Sequence, residues 1–273
     1  MPPKRLDQMT LAQAEERMAQ TDLAFFPQGP TEGHGRHMPL GCDYYVATAA
    51  AMLLAERTGG ICLPPLPFNY AGGTAAFAGT IQVPPSVQAE MTKAVVRELW
   101  HKGFRRIILT SIHGPNTWIV GAALRELYEY EHIPTLLVNP YTTVDDAAWA
   151  ARLPNYDGAF KEACMSYAAM KIMGMEEMIP ETAGLRDEYP SAEAGTTRPE
   201  VVERVGAFGV IGAHYTHHLQ HQPPRAGLSV DLGMEMIEEA VAKLLPAAEA
   251  LGEYVDHLEA QGLLAPRDVR PTA

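Results

Sequence analysis

The chain has 273 residues, of which 47% are hydrophobic and 20% are charged, with 23 glycines and 22 prolines. This composition is typical of an ordinary folded domain and excludes a disordered or low-complexity chain. The 33 acidic residues outnumber the 21 basic residues and give a net charge of −12. Such a field repels phosphate backbones and anionic lipid, so neither nucleic acid nor a membrane is an expected partner.

The three cysteines, Cys42, Cys62 and Cys164, are too few and too scattered for a disulfide framework. No apolar run approaches the roughly 18 residues that a membrane span needs, and no apolar segment follows the charged start of the chain. We therefore expect a soluble, cytoplasmic protein.

Short apolar strands alternate with amphipathic helices along the chain. The predicted strands are Leu23–Phe26, Cys62–Leu66, Ile107–Leu109, Thr135–Val138 and Phe208–Gly212. The predicted helices are residues 10–20 with Thr10 as N-cap, Tyr44–Arg57, a helix capped by Ser86 and ended by Gly103, Asn116–Glu129, Ala159–Met173, and a long helix from about Asp231 that Pro246 should kink. This alternation indicates an α/β fold with a mostly parallel sheet covered by helices on both faces.

A polar segment with several prolines and glutamates covers residues 174–206. Too little chain follows it to form an independent core, so we interpret it as a flap or insertion rather than a linker. Residues 1–273 are therefore expected to form a single domain.

Carboxylate and imidazole side chains concentrate after the first predicted strand. In the sequence Glu32-Gly33-His34 the two polar side chains leave the same side of an extended backbone, and Asp43 follows at the start of the next helix. His113 comes just after the third strand, where parallel sheets place their sites. Such ligands suit Zn²⁺ or Mn²⁺. The alternative is structural: a salt-bridging acid, a helix cap and two ordinary polar histidines near loops.

The stretch from Phe26 to Asp43 resembles the signature of the creatininase (creatinine amidohydrolase) family. The family pattern P-x-G-x-x-E-x-H-G-x-H-x-P-L-G-x-D matches the residues that end at Asp43. Residues 77–81 resemble the family's F-P-G-T-I block, and residues 113–116 resemble its N-G-H-G-G-N block. The resemblance implies a creatininase-like αβα sandwich of the doubly wound type, assembled as a homo-oligomer such as a hexamer.

The resemblance also implies two divalent metal ions per chain, Zn²⁺ and/or Mn²⁺. Asp43 would bridge the two ions, Glu32 and His113 would complete one site, and His34 would complete the other. Glu162 is the candidate for the remaining carboxylate, in a segment that resembles the family's H-A-G-x-x-E-T-S block only loosely. Two such ions lower the pKa of a water and polarise a carbonyl, so attack by a metal-bridging hydroxide is the expected chemistry.

Three departures from the family pattern argue against creatinine itself as the substrate. Asp157 stands where the family has the histidine that protonates the leaving group, and an aspartate can do this only if its pKa is raised. Pro115 stands where creatininase has a metal-binding glutamate. No histidine precedes the block at residues 77–81. We therefore expect a rebuilt substrate pocket.

Four histidines crowd into residues 214–221, directly after the last predicted strand. At that end of the sheet their imidazoles and the neighbouring phenol could contact substrate or transfer a proton. The alternatives are an exposed loop or an oligomer contact, with Arg225 as an ordinary surface residue. The candidates for substrate binding are His214, Tyr215, His217 and Arg225, and those for catalysis are Asp157, Glu162 and His214.

The resemblance implies hydrolysis of a small cyclic substrate, either a cyclic amide or a cyclic diketone. An oxidised inositol of the 3-dehydro-scyllosone type, opened at a C–C bond in inositol catabolism, belongs to the substrates that the family resemblance implies and is a close alternative, because a stabilised enolate needs no protonated amine leaving group. A third interpretation is a non-catalytic metal-binding assembly protein that lost its activity through Asp157 and Pro115.

Overall fold

The computed structural model describes residues 5–208 and 211–266. At its centre lie four parallel strands, β1 (Leu23–Pro27), β2 (Ile61–Cys62), β3 (Arg106–Thr110) and β4 (Leu136–Val138). They form one sheet in the order β2-β1-β3-β4. β1 and β3 pair along their whole length, from Leu23 opposite Arg106 to Pro27 opposite Thr110.

Helices cover both faces of this sheet. They are α1 (Leu11–Met18), α2 (Cys42–Thr58), α3 (Pro85–His101), α4 (Asn116–Glu131), α5 (Asp146–Arg152), α6 (Gly158–Ile172), α7 (Glu200–Gly206) and α8 (Val230–Ala260). Because side chains alternate along a strand, Phe25 and Ile108 pack with α2, α6 and α8, whereas Phe26 and Ile107 pack with α3 and α4. The predicted αβα sandwich with a parallel sheet is confirmed.

The second strand is shorter than predicted. It ends at Cys62, although the amides of Leu63 and Leu66 still donate to the carbonyl oxygens of Phe25 and Pro27, at 2.9 and 3.0 Å. The sequence between these two amides is Pro64-Pro65, and proline has no N–H to donate to a ladder. The regular pairing between β1 and β2 therefore ends at Cys62.

The start of α3 differs from the prediction. Pro84 is the N-cap of α3, so Ser86 lies inside the first turn instead of capping it. Pro85 occupies the first helical position, where the missing N–H of proline leaves no unsatisfied donor, and this explains the start of the helix.

Pro246 lies within α8, and the kink expected there stays a prediction.

The last predicted strand is not observed in the part of it that the structure describes. Residues 209 and 210 lie outside the described residues, and Phe208, Ile211 and Gly212 belong to no strand. The chain instead runs as a loop, in which the amide of Tyr215 donates to the carbonyl oxygen of Gly73 at 2.7 Å. This hydrogen bond ties the histidine-rich segment to the loop between β2 and α3.

Residues 174–206 contain a short 3-10 turn at Glu176–Met178 and the helix α7. The segment is held against the loop before α8, where the amide of Glu188 donates to the carbonyl oxygen of Pro224 at 3.1 Å. Its role as a flap stays a prediction. No helix within residues 5–208 and 211–266 combines the length and the apolar composition that crossing a membrane requires.

Candidate metal centre

Five ionisable side chains converge at the carboxyl ends of the two central strands. Glu32 and His34 lie in the loop after β1, and His113 lies in the loop after β3. Asp43 belongs to the first turn of α2, and Glu162 to α6. Four of the five are buried, and the side chain of Glu162 is 13% exposed. The structure thus brings together every residue that the sequence analysis named as a ligand.

Asp43 stands between the two imidazoles. Its Oδ2 atom lies 3.6 Å from Nε2 of His34 and 3.6 Å from Nδ1 of His113. Oε1 of Glu32 lies 3.3 Å from Nδ1 of His113, and Oε1 of Glu162 lies 3.5 Å from Nε2 of His34. The cluster therefore has two halves, one around each histidine, that share the Asp43 carboxylate.

The donors fit divalent cations. Oδ2 of Asp43 is buried and accepts no hydrogen bond from any described residue, and its contacts with the two imidazole nitrogens are 3.6 Å long. A carboxylate oxygen buried among imidazoles in this way can coordinate a metal. Ligand atoms of Glu32, Asp43 and His113 all lie within 4.8 Å of one another. Carboxylate oxygens with imidazole nitrogens are a donor set for Zn²⁺ or Mn²⁺.

Cys42 lies beside this cluster, with its ligand atom within 4.8 Å of those of His34 and Glu162. Burial, reinforced by the nearby carboxylates, raises the pKa of the Cys42 thiol well above its usual range. Cys42 also packs in a buried apolar cluster with Met38 and Ala163, and we assign it to packing.

Hydrogen bonds on the far side of each ligand fix its orientation. Nε2 of His113 lies 2.8 Å from the carbonyl oxygen of Tyr70, so donation there leaves Nδ1 facing the carboxylates. Nδ1 of His34 lies 3.3 Å from the carbonyl oxygen of Glu32 and orients Nε2 in the same way. The hydroxyl of Thr74 donates to Oε2 of Glu32. Such contacts set the tautomer and orientation of metal ligands.

Replacing Thr74 by Val is expected to weaken divalent-cation binding by roughly 10- to 100-fold, the usual effect of removing an orienting hydrogen bond. Valine keeps the side-chain shape but leaves Oε2 of Glu32 without this donor. Competition with a chromophoric chelator measures the affinity. Thr117→Val, at the rim of the same cavity, is the control, and equal affinities for the two variants would contradict the orienting role.

The carboxylates control the protonation of both histidines. Burial disfavours the imidazolium, but Asp43 and Glu162 outweigh it at His34, and Asp43 and Glu32 outweigh it at His113. The result is that the pKa of each histidine rises from 6.5 to about 10. Both imidazoles are therefore protonated in the metal-free protein at neutral pH, and a cation must displace these protons.

Cation binding is therefore expected to strengthen as the pH rises towards about 10, with release of about two protons at pH 7. Titration calorimetry in buffers of different ionisation enthalpy counts these protons. Binding without proton release would contradict the assignment.

In the metal-free protein the same protons stabilise the fold. Since the pKa values of both histidines are raised on folding, this contribution to the free energy of unfolding is complete below about pH 6.5 and is lost as the pH rises through about 10.

Gly29 in the sequence motif has a steric role. A Cβ atom at this position would lie 2.7 Å from Cβ of Asp43 and 2.6 Å from the backbone nitrogen of Tyr44. The loop after β1 therefore passes directly against the first turn of α2. Any side chain at residue 29 would displace the shared carboxylate.

A cavity of about 440 Å³ opens onto the cluster, a size that suits a small molecule. Besides the five ionisable residues, its wall carries hydroxyl and amide groups. These groups belong to Thr74, Thr117, Asn139, Tyr141, Thr142 and Tyr215.

The histidine-rich segment presents other residues to this cavity than those predicted. Tyr215 lines it, as expected, but the imidazole beside it is that of His221, and His214 is exposed outside the cavity lining. His217 lines a neighbouring cavity, and its Nδ1 accepts a hydrogen bond from the amide of Leu219 at 3.2 Å. The structure therefore places His214 and His217 outside this cavity, on a loop anchored at Tyr215, and the roles predicted for them stay predictions.

Asp157 and Arg225 pair with each other instead of lining the cavity. Oδ1 of Asp157 accepts from the amide of Phe160 at 2.8 Å and caps α6, and Oδ2 accepts from Nε and Nη2 of Arg225 at 2.8 and 2.7 Å. Arg225 also donates to the carbonyl oxygen of Glu188. This network holds the start of the helix that carries Glu162. The structure therefore places both residues outside the cavity lining, and the roles predicted for them, proton transfer by Asp157 and substrate binding by Arg225, stay predictions.

Several residues of the site escaped the sequence analysis. Nε2 of Gln222 donates to Oε2 of Glu162, and His221 and Tyr141 line the cavity. The only sequence signal for Gln222 is its place directly after the histidine-rich segment. Tyr141 lies in the loop after β4, the edge strand beside β3, and this position at the carboxyl edge of the sheet could have pointed to it.

Comparison with known proteins links the chain to one family. The family described as Creatininase: Creatinine amidohydrolase matches residues 7–212. The 3-dehydro-scyllo-inosose hydrolase of Thermotoga maritima is 29% identical over 136 residues, 48% of this chain and 42% of the relative. The creatinine amidohydrolase of Pseudomonas putida is 32% identical over 130 residues, 44% of this chain and 50% of the relative. The chain thus matches half or less of the length of these two proteins.

Solved structures show the same fold. A crystal structure of creatinine amidohydrolase (creatininase) has a TM-score of 0.70 and 23% identity, covering 93% of this chain and 99% of the other. A mutant creatininase of Zn-Zn type has a TM-score of 0.70 and 22% identity, with the same coverage. At this identity the likeness establishes the architecture.

Proposed function

This chain belongs to the creatininase (creatinine amidohydrolase) family of metal-dependent hydrolases, and on that premise we propose that it is a dinuclear hydrolase that opens a small cyclic substrate. The substrate is a cyclic amide or a cyclic diketone. The observation that carries the proposal is the buried Asp43 carboxylate, whose Oδ2 lies 3.6 Å from an imidazole nitrogen of each half of the cluster.

Each half of the cluster supplies donors for one cation. Glu32, Asp43 and His113 would hold the first, and His34 and Glu162 would hold the second together with the same Asp43 carboxylate. Bound divalent cations supply Lewis acidity that lowers the pKa of a water and polarises a carbonyl. Zn²⁺ and Mn²⁺ are the cations we expect here.

The proposed reaction adds one water molecule to the substrate and opens its ring. Hydrolysis adds the oxygen of one water to the substrate carbonyl carbon, breaks the adjacent ring C–N or C–C bond, and transfers a proton from the water to the departing nitrogen or carbon. Tyr215 can donate a hydrogen bond to a substrate, since a phenol is protonated at neutral pH and burial raises its pKa further. The hydroxyl of Tyr141 already donates to the carbonyl oxygen of Gly158 at 3.2 Å, so it can only accept from a substrate.

An oxidised inositol is a second candidate substrate, and the composition of the cavity wall favours it. Polar groups of Thr117 and Asn139 and the phenol of Tyr215 line the cavity and can bind the hydroxyls of a polyhydroxylated ring. Asp157 is occupied as a helix cap and ion-pair partner, which suits a C–C cleavage that protonates no amine. The similarity to an inosose hydrolase agrees with this choice.

A substrate panel tests the proposal. Protein loaded with Zn²⁺ or Mn²⁺ is incubated with creatinine, a cyclic imide, a diketo-inositol and a linear peptide, and mass spectrometry follows the gain of one water. We expect turnover of one cyclic compound and its loss in Asp43→Asn. Cleavage of the peptide with no cyclic compound consumed would overturn the proposed substrate class.

We further infer a cytoplasmic homo-oligomer. Trp118 is 49% exposed in the single chain and its ring centroid lies 5.9 Å from that of Tyr70, and a partly exposed aromatic pair supports an interface between copies. Light scattering coupled to size-exclusion chromatography measures the subunit number, and a monomer in solution would contradict this inference.

Elemental analysis of the purified protein identifies the native metal.

A further inference from the structure

One imidazole at the cavity belongs to neither donor set. His221 lines the cavity, and its Nε2 atom is buried without a hydrogen-bond partner within residues 5–208 and 211–266. A buried ring nitrogen left in this way is unfavourable, because folding removes its water and replaces it with nothing. A buried nitrogen without a hydrogen-bond partner, on a ring that lines this cavity, is available to bind a cation.

The placement of His221 relative to the cluster supports this interpretation. One of its ring nitrogens lies within 4.8 Å of ligand atoms of both Glu32 and His34. Its ring centroid is 4.9 Å from that of His34. On its other side it stacks on Tyr215 at 4.9 Å between centroids, with 27° between the ring planes. Packing between two rings restricts the orientation of the imidazole before any ligand binds.

The backbone around His221 is fixed to both sides of the site. The amide of Tyr215 donates to the carbonyl oxygen of Gly73, and Thr74, the next residue, holds Glu32. On the other side, Gln222 donates to the carboxylate of Glu162. The segment that carries His221 is therefore tied to both halves of the cluster and positions its imidazole between them.

We propose that His221 is a direct protein ligand of the metal centre, coordinating a cation through Nε2 on the side of Glu32 and His34. The inference rests on the proposed dinuclear centre and extends it by one donor, supplied from the loop before α8. In this proposal the last histidine of the histidine-rich segment, and not the exposed His214, coordinates the metal.

The test compares two matched variants. His221→Phe keeps a ring stacked on Tyr215 but removes both nitrogens, and His218→Phe makes the same change in the same segment at a residue that lines the neighbouring cavity. Zn²⁺ affinity and stoichiometry are measured by chelator competition and by elemental analysis after dialysis. We expect His221→Phe to weaken one of two bound ions by more than about 100-fold, beyond the effect of an orienting contact, and His218→Phe to change neither.

A second measurement is independent of affinity. Anomalous scattering from crystals of the Zn²⁺-loaded protein should place a metal about 2.1 Å from Nε2 of His221. Circular dichroism of the metal-free variants confirms that both are folded. A His221→Phe protein that keeps both ions at unchanged affinity would overturn the inference.

Asp43→Asn separates this failure from that of the larger proposal. If Asp43→Asn loses metal while His221→Phe does not, His221 is not a ligand but the dinuclear centre stands. If neither variant changes the metal content, the dinuclear centre itself is wrong.

Discussion

Replacing Asp43 by Asn is expected to abolish hydrolysis and to lower cation affinity by more than about 100-fold, because the shared donor of both halves of the cluster is lost. The amide keeps the size of the side chain but presents no charged oxygen between His34 and His113. No other carboxylate can replace it by a small movement, since Oε1 of Glu32 and Oε1 of Glu162 each already face a histidine. We expect kcat/KM to fall by at least about 1000-fold.

The measurements are metal content, chelator competition and turnover of whichever cyclic substrate the panel identifies. Asp231→Asn is the matched control, because this aspartate also lies in the first turn of a helix, α8, but outside the cavity lining. It should change neither metal content nor turnover. An Asp43→Asn protein that retains two ions would show that the 3.6 Å contacts to the histidines do not mark a bridging position.

Replacing Gly233 by Ala is expected to destabilise the fold by about 3 kcal/mol, the upper part of the usual range for overpacking. Gly233 is where α8 crosses α6, and a Cβ atom there would lie 1.9 Å from the carbonyl oxygen of Cys164 and 2.9 Å from Cβ of Ala168. The obstacle is backbone, so the only relief is separation of the two helices. Because α6 carries Glu162, cation binding should weaken as well.

Urea denaturation of the metal-free protein measures the change in the free energy of unfolding. Gly121→Ala, in the middle of α4, is the control, because a Cβ atom there meets nothing within 4 Å. It should stabilise the protein by about 0.5 to 1 kcal/mol through helix propensity. A loss below about 1 kcal/mol for Gly233→Ala would mean that α6 and α8 can move apart at little cost.

Local sequence patterns were sufficient for the sheet and most helices. Apolar runs such as Ile107–Leu109 are buried between the layers, and their shortness together with the glycine that ends the preceding helix favours a strand. Thr10 caps α1, as predicted, with its side chain accepting from the amide of Gln13. The pattern was misleading at residues 208–212, where an apolar stretch is part of a loop in its described residues. An apolar run predicts burial, and pairing with a neighbouring strand depends on contacts that the run does not encode.

For the site, the sequence by itself determined the dense motif from Pro27 to Asp43 and the histidine after β3. A contiguous loop fixes its own geometry, and the carboxyl ends of adjacent parallel strands must meet. Only the tertiary structure decided the partners that arrive from distant segments. It pairs Asp157 with Arg225 across 68 positions of sequence, and it brings His221 rather than His214 to the cavity. Contacts of this range depend on how separate loops pack on one another, which no local pattern in the chain records.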